Sequence, residues 1–168
     1  TGQILVTYSG RYRDEGTVIT ITPQNYKVNS YTLGGTKTVT NLGPDGLGRT
    51  QFSIHVNGSI TAPANAWTAT WNSSRTRTWV EGESTLTLWD DVYEITGSAS
   101  GVSRTGIPYT ISITNPLRAA LYCRWIVSGT LVLTPDGYDA RTVDFGNGEC
   151  NNGFTVTVDG ETTSYGSE

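Results

Sequence analysis

Methionine is absent from this 168-residue chain, histidine occurs once, lysine twice and cysteine twice. Each scarcity excludes something. One histidine and two mutually bonded cysteines cannot supply the ligands of a zinc site. His55 alternates with apolar residues, which points it to a polar face, and no Gly-x-Ser-x-Gly elbow accompanies it. A catalytic triad or a Cys-His pair therefore has little support. Charged residues make up 15% of the chain, against roughly 25% in an average globular protein. The net charge is −4 and the pI about 4.9, whereas a nucleic-acid surface needs a basic footprint. Arg75 and Arg77 beside Trp79 form one small basic-aromatic cluster, which Glu81 and Glu83 offset. No run of about 18 apolar residues occurs, so no membrane-spanning helix is expected. The chain begins at Thr1 with neither an initiator Met nor a signal peptide, as a mature form or processed fragment would.

What is abundant points one way. Threonine is the commonest residue, and tyrosine, tryptophan and glycine are frequent. Thr, Val, Ile, Tyr and Trp fit a pleated, half-buried surface, so composition alone predicts β structure. Period-2 alternation recurs almost throughout. Phe52, Ile54 and Val56 alternate with Ser53, His55 and Asn57, and Trp67, Ala69 and Trp71 with Thr68 and Thr70. Tyr109, Ile111 and Ile113 do the same with Thr110 and Ser112, as do Phe154, Val156 and Val158 with Thr155 and Thr157. Each pattern predicts one packed and one solvated face, as in antiparallel sheets.

Turn chemistry punctuates these runs at Asp14-Glu15-Gly16, Leu33-Gly34-Gly35, Gly43 to Gly46, Asn57-Gly58 and Asn72-Ser73-Ser74. Further turns are expected at Ser103 to Gly106, Asp136-Gly137 and Asp159-Gly160. The spacing predicts an all-β fold of about a dozen strands, either an antiparallel β-sandwich or an elongated β-meander. Residues 1–168 read as one domain, with only a weak split near Pro63-Ala64-Asn65. One segment, Pro116 to Tyr122, has the composition for a single helical turn. Residues 3–8 carry Ile4 and Val6 on one face and Leu5 on the other, which reads as a strand buried on both sides or paired on both edges. The polar end from Glu161 to Glu168 is expected to fray.

An even number of cysteines in a lysine-poor, Thr-rich chain suggests one disulfide and an oxidising compartment, the other reading being two buried thiols. Pro135-Asp136-Gly137 supports the bridge. If residues 123–134 pair with 140–150 around that turn, Cys123 falls opposite Cys150. In the chain-entropy treatment such a bridge contributes about 3 kcal/mol.

Four chemistries remain. Asp90, Asp91 and Glu94, with Glu81 and Glu83, offer the paired carboxylates of a glycosidase, although solvated turn charge explains them more simply. Asp144, Asn147 and Glu149, with Asn151 and Asn152, place oxygen ligands at the short spacing calcium takes. Only two of the five are charged and no EF-hand spacing is met, so a loop braced by Asx hydrogen bonds is the simpler reading and no cofactor is expected. The five tryptophans, Trp67, Trp71 and Trp79 above all and also Trp89 and Trp125, could form a glycan platform, against ordinary packing of the same rings. Ile4, Leu5, Val6 and Tyr8 could form an assembly strand added to a neighbour's sheet edge, against ordinary pairing within their own sheet.

The chain also resembles a known family. Its second half carries Trp79-Val80-Glu81-Gly82, Asp90 to Gly97, Gly101 to Gly106 and Ile113 to Leu117, in that order. Cys123-Arg124-Trp125 and Asp144-Phe145-Gly146-Asn147-Gly148-Glu149-Cys150-Asn151-Asn152 follow, and Val6 to Arg13, Gly16 to Thr20 and Asn25-Tyr26 fit in the first half. In these segments the chain is similar to uncharacterised secreted proteins and predicted lipoproteins of Bacteroidota. The resemblance implies export and a cell-surface location, and no particular reaction. Family members tend to carry Asp where Asn147 and Asn151 stand, which weakens calcium here. They also tend to carry an upstream segment with a lipoprotein signal. Its proteolytic removal would release a new terminus just before Ile4, as in surface fibres that mature for strand donation.

The sequence thus predicts a non-enzymatic, secreted or outer-surface structural protein, a fibre subunit joined through its N-terminal strand. Its partners would be other copies or surface proteins. A glycan-binding module using the tryptophans is the alternative, and a glycoside hydrolase at Glu81 and Asp90 a distant third.

Overall fold

The computed structural model describes residues 1–166. The strands are β1 (Gln3–Tyr8), β2 (Val18–Gln24), β3 (Tyr26–Val28), β4 (Tyr31–Pro44), β5 (Thr50–Thr61) and β6 (Thr68–Glu81). They continue with β7 (Val92–Val102), β8 (Pro108–Ala120), β9 (Ile126–Pro135), β10 (Arg141–Asn147), β11 (Phe154–Val158) and β12 (Glu161–Tyr165). All belong to one antiparallel sheet. Its order is that of the chain from β1 to β12, except that β3 pairs with β4 beside β2. Of the two expected architectures the meander is the one that forms.

Directly opposite residues of an antiparallel pair share a face, so the register defines the two surfaces. One row crosses the whole sheet as Val6, Ile21, Lys37, Val56, Ser73, Ala99, Ile111, Leu133, Arg141, Val158 and Glu161, apolar apart from Ser73 and the charged Lys37, Arg141 and Glu161. The adjacent row runs Thr7, Thr20, Thr38, His55, Ser74, Ser98, Ser112, Val132, Thr142, Thr157 and Thr162. The period-2 pattern thus becomes one apolar face and one hydroxyl face of a single sheet. The molecule exposes 10363 Å², where a compact monomer of its 18.1 kDa exposes roughly 8,100 Å². A sheet that buries much of its apolar face only partly accounts for the excess.

The core lies toward one end. Strands alternate in direction, so the segments 9–17, 45–49, 82–91, 121–125 and 148–153 all fall at the same end, and short turns fall at the other. At this loop end Val39, Phe52, Ile54, Trp79 and Tyr93 form the buried cluster. The 9–17 segment folds over it. Tyr12 stacks on Phe52 at 4.7 Å, and the Arg13 guanidinium sits 4.6 Å from the Trp79 ring centroid. Buried Asn41 holds that segment down: its amide donates to the Tyr12 carbonyl at 3.1 Å, and its Oδ1 accepts the Gly43 N–H at 2.8 Å. Cys123 and Cys150 are bonded, with Cα atoms 5.6 Å apart, and tie the 121–125 loop to the 148–153 loop.

Several expectations are corrected. Gly34-Gly35, Asn57-Gly58 and Asn72-Ser73-Ser74 are not turns but lie inside β4, β5 and β6. At Gly58 the glycine serves packing: the Trp71 indole covers it, and a Cβ there would lie 2.3 Å from its Cε2. Pro116 to Ala120 forms no helical turn but completes β8, because Leu117 and Ala120 are buried as part of the sheet. Pro63–Asn65 is a 3-10 turn linking β5 and β6, which pair along their length. Residues 161–165 do not fray from the sheet: β12 pairs with β11 from Val158–Glu161 to Phe154–Tyr165. Residues 167 and 168 lie outside the described residues.

Candidate functional site

The expected assembly strand is β1, at the edge of the sheet. It pairs on one side with β2, from Gln3–Gln24 to Tyr8–Ile19. Thr1 anchors it further: its ammonium donates to the Lys27 carbonyl at 2.8 Å, and the Lys27 N–H returns a bond to the Thr1 carbonyl at 2.7 Å. It is not buried on both sides, because among the described residues its other edge is unpaired and no second layer lies over it. Ile4, Leu5 and Val6 are each about half exposed, and Tyr8 is 74% exposed. Ile4, Val6 and Tyr8 extend the apolar face, and Leu5 stands among the hydroxyls.

Of the three tryptophans read either as a platform or as packed rings, Trp79 is packed, and Trp67 and Trp71 are partly buried. Trp79 is 3% exposed and packs on Tyr93 at 5.4 Å, because its position at the loop end puts it under the 9–17 segment. Trp71 lies against the sheet over Gly58, and Trp67 leans on Tyr31 at 5.7 Å. The exposed indoles are Trp89 and Trp125, both in loop-end segments, with Leu86, Leu88 and Tyr122 exposed nearby in sequence. Alternation could not single them out, since both sit outside strands.

The carboxylates near Trp89 are each engaged. Glu81 takes a charge-assisted bond from Arg118, and Glu83 accepts from the Thr50 N–H and hydroxyl. Asp90 Oδ1 accepts from the Thr85 hydroxyl at 3.0 Å. Asp91 is fully buried and accepts the Tyr93 hydroxyl at 3.3 Å. The Glu83 contacts tie the 82–91 loop to Thr50 at the start of β5, and the Glu81–Arg118 pair ties β6 to β8. Burial drives the Tyr93 phenol well above its ordinary range, helped by neighbouring Tyr12 and Asp91. Burial likewise raises Tyr12, although Arg77 opposes the shift and hydrogen-bonds its hydroxyl. Lys37 is lowered by burial first, then by Arg77 and Arg75 on the same face.

The third expected set does converge. Asp144, Asn147 and Glu149 line one open cavity of about 840 Å³ together with Asn151, Phe154 and Tyr165. A bulge in β10 between Asp144 and Asn147 makes room for it. Asp144 Oδ1 caps the Gly146 N–H at 2.7 Å, and Asn151 Oδ1 caps the Gly153 N–H at 2.8 Å. These are the Asx contacts expected of a braced loop. No group of three or more His, Cys, Asp or Glu side chains gathers as a metal site among the described residues. The aromatic wall of this cavity went unread in the sequence because Phe154 and Tyr165 meet only through the β11–β12 register.

A scan against protein-family models finds no match, and neither curated proteins nor solved structures show significant similarity to the chain. No helix among the described residues is long and apolar enough to cross a membrane.

Proposed function

We propose that this is a non-enzymatic extracellular structural protein whose copies join edge to edge into filaments through β1. The observation that supports the reading is the character of that edge. Folded proteins guard edge strands with lysine, proline, bulges or a covering element. β1 reads Gln-Ile-Leu-Val-Thr-Tyr, has no charge and no proline, and pairs with β2 without a bulge. An extended apolar strand of this kind is suited to strand addition, in which ladder hydrogen bonds give affinity and alternate side chains give register. The disulfide fits an oxidising compartment, as the extracellular reading requires.

Strand directions constrain the assembly. β1 and β12 are the two ends of the sheet and both run toward the loop end. Joining β1 to β12 of the next copy therefore gives a parallel pair if the apolar faces continue. It gives an antiparallel pair only if the faces alternate from copy to copy. Joining β1 to β1 gives an antiparallel two-fold dimer that stops there. Filaments thus require β12 as acceptor. Sedimentation velocity and electron microscopy of the native chain and Val6→Lys test this. Growth with concentration that Val6→Lys abolishes is expected. A native chain that stays monomeric or stops at dimers, or a variant that still grows, contradicts it.

A further inference from the structure

The cavity beside the disulfide has an unexplained combination of groups. Its wall is aromatic: Phe154 and Tyr165 stack at 5.2 Å with planes 14° apart, and Phe145 leans on Phe154 at 6.3 Å. Tyr165 is half exposed, so a ring face remains open. Its rim is polar, formed by Asn147, Glu149 and Asn151. Asp144, opposite Thr155 and Thr130, points to the other face of the sheet from these rings and caps the Gly146 N–H. Asn151 spends its oxygen on the Gly153 N–H, which leaves its amide N–H groups available. The Asn147 and Glu149 side chains hydrogen-bond no protein group among the described residues. Among the described residues no lysine, arginine or histidine lines the cavity.

From this arrangement we infer that the cavity is a binding site for a neutral sugar residue of a glycan. A pyranose ring presents C–H groups on one face and hydroxyls around its rim. The C–H face matches the open tyrosine ring. Each hydroxyl both donates and accepts, and the rim supplies both complements: a carboxylate acceptor at Glu149, and amide donors at Asn147 and Asn151. An organic cation would use the carboxylate and rings but leave the amide donors unanswered. An acidic sugar would meet the Glu149 carboxylate without a basic residue to offset it. At about 840 Å³ the cavity is within the usual size of ligand sites. The loop is held in place, because Cys150 is bonded to Cys123 and the Gly148 N–H donates to the Val127 carbonyl at 2.8 Å. A site held this way loses little entropy on binding.

The site differs from the β1 edge, so the two are tested apart. The probe is a panel of immobilised neutral gluco-, manno-, galacto- and xylo-oligosaccharides with a polyuronate alongside, followed by calorimetric titration of the best-retained sugar. The native chain and Val6→Lys should bind the same neutral sugar equally. Tyr165→Ala should weaken it about tenfold, the loss of one aromatic stacking contact, and Asn147→Ala should weaken it severalfold. Trp89→Ala, which removes an exposed indole elsewhere, should leave it unchanged. Near-UV circular dichroism of each variant confirms the fold. The inference is overturned if no neutral sugar is retained, if the polyuronate is preferred, or if folded Tyr165→Ala and Asn147→Ala both bind as well as the native chain.

Discussion

Replacing Gly58 by alanine tests whether this sheet is held by side chains lying along its own apolar face. In β5, Gly58 faces Trp71 of β6. An added Cβ would stand 2.3 Å from indole Cε2 and 2.4 Å from Cζ2, well inside contact distance. The indole must then lift away from the sheet and lose its packing. Overpacking of this kind costs about 1–3 kcal/mol. For a domain of this length a 2 kcal/mol loss lowers Tm by about 4–8 °C. Gly46→Ala is the control: its Cβ meets nothing within 4 Å, so a change within about 0.5 kcal/mol is expected. Urea and thermal unfolding give both values. The cost of Gly58→Ala should largely vanish when Trp71→Ala is already present. Equal effects of the two glycine substitutions, or an undiminished cost in the Trp71→Ala background, would refute the reasoning.

Other outcomes follow from the same structure. Phe52→Ala should cost about 3–5 kcal/mol in urea unfolding, since it removes a fully buried ring on which Tyr12 stacks and over which Arg77 lies. Reducing the disulfide should cost about 3–4 kcal/mol in the chain-entropy treatment, given its 27-residue separation, and thermal melts with and without reductant measure it. Tyr12 and Tyr93 have raised phenol pKa values. Their stabilising effect is therefore complete below the unfolded phenol value near 10 and is lost as pH rises through the folded values. Absorbance titration should show Tyr12 and Tyr93 ionising late, together with alkaline unfolding. If this pair titrates as free phenols, its burial is wrong.

Much of the fold was legible in the sequence, for identifiable reasons. Strict alternation, as at Phe52 to Val56 and Tyr109 to Ile113, is enough to place strands and sort their faces. Asp-Gly at 136–137 and 159–160 marks hairpins correctly, because the chain there needs positive φ, as Asp159 at 49° and Gly137 at 75° show. Glycine misled where its role was packing. Gly58 makes room for an indole, and Gly35 comes so close to β5 that a Cβ would lie 2.0 Å from the Asn57 carbonyl oxygen. Alternation also says that a face is apolar without saying what covers it, so a sandwich and a one-layer meander read alike. The same limit hid the site. Asp144, Asn147 and Glu149 were visible as a polar cluster, but the rings beside them come from β11 and β12, and only the register unites them. For Trp79 packing and a platform both stayed open in the sequence, because burial at the loop end depends on the 9–17 segment, whose fold depends on Asn41.

The most direct test of the account is hydrogen–deuterium exchange of the native chain across a concentration series, read at residues 3–8 and 161–165. If copies join through the free edges, amides of β1 and β12 should gain protection as assemblies appear, while the inner strands β5–β8 stay as they were. Assemblies that form with both edges still exchanging freely would contradict it.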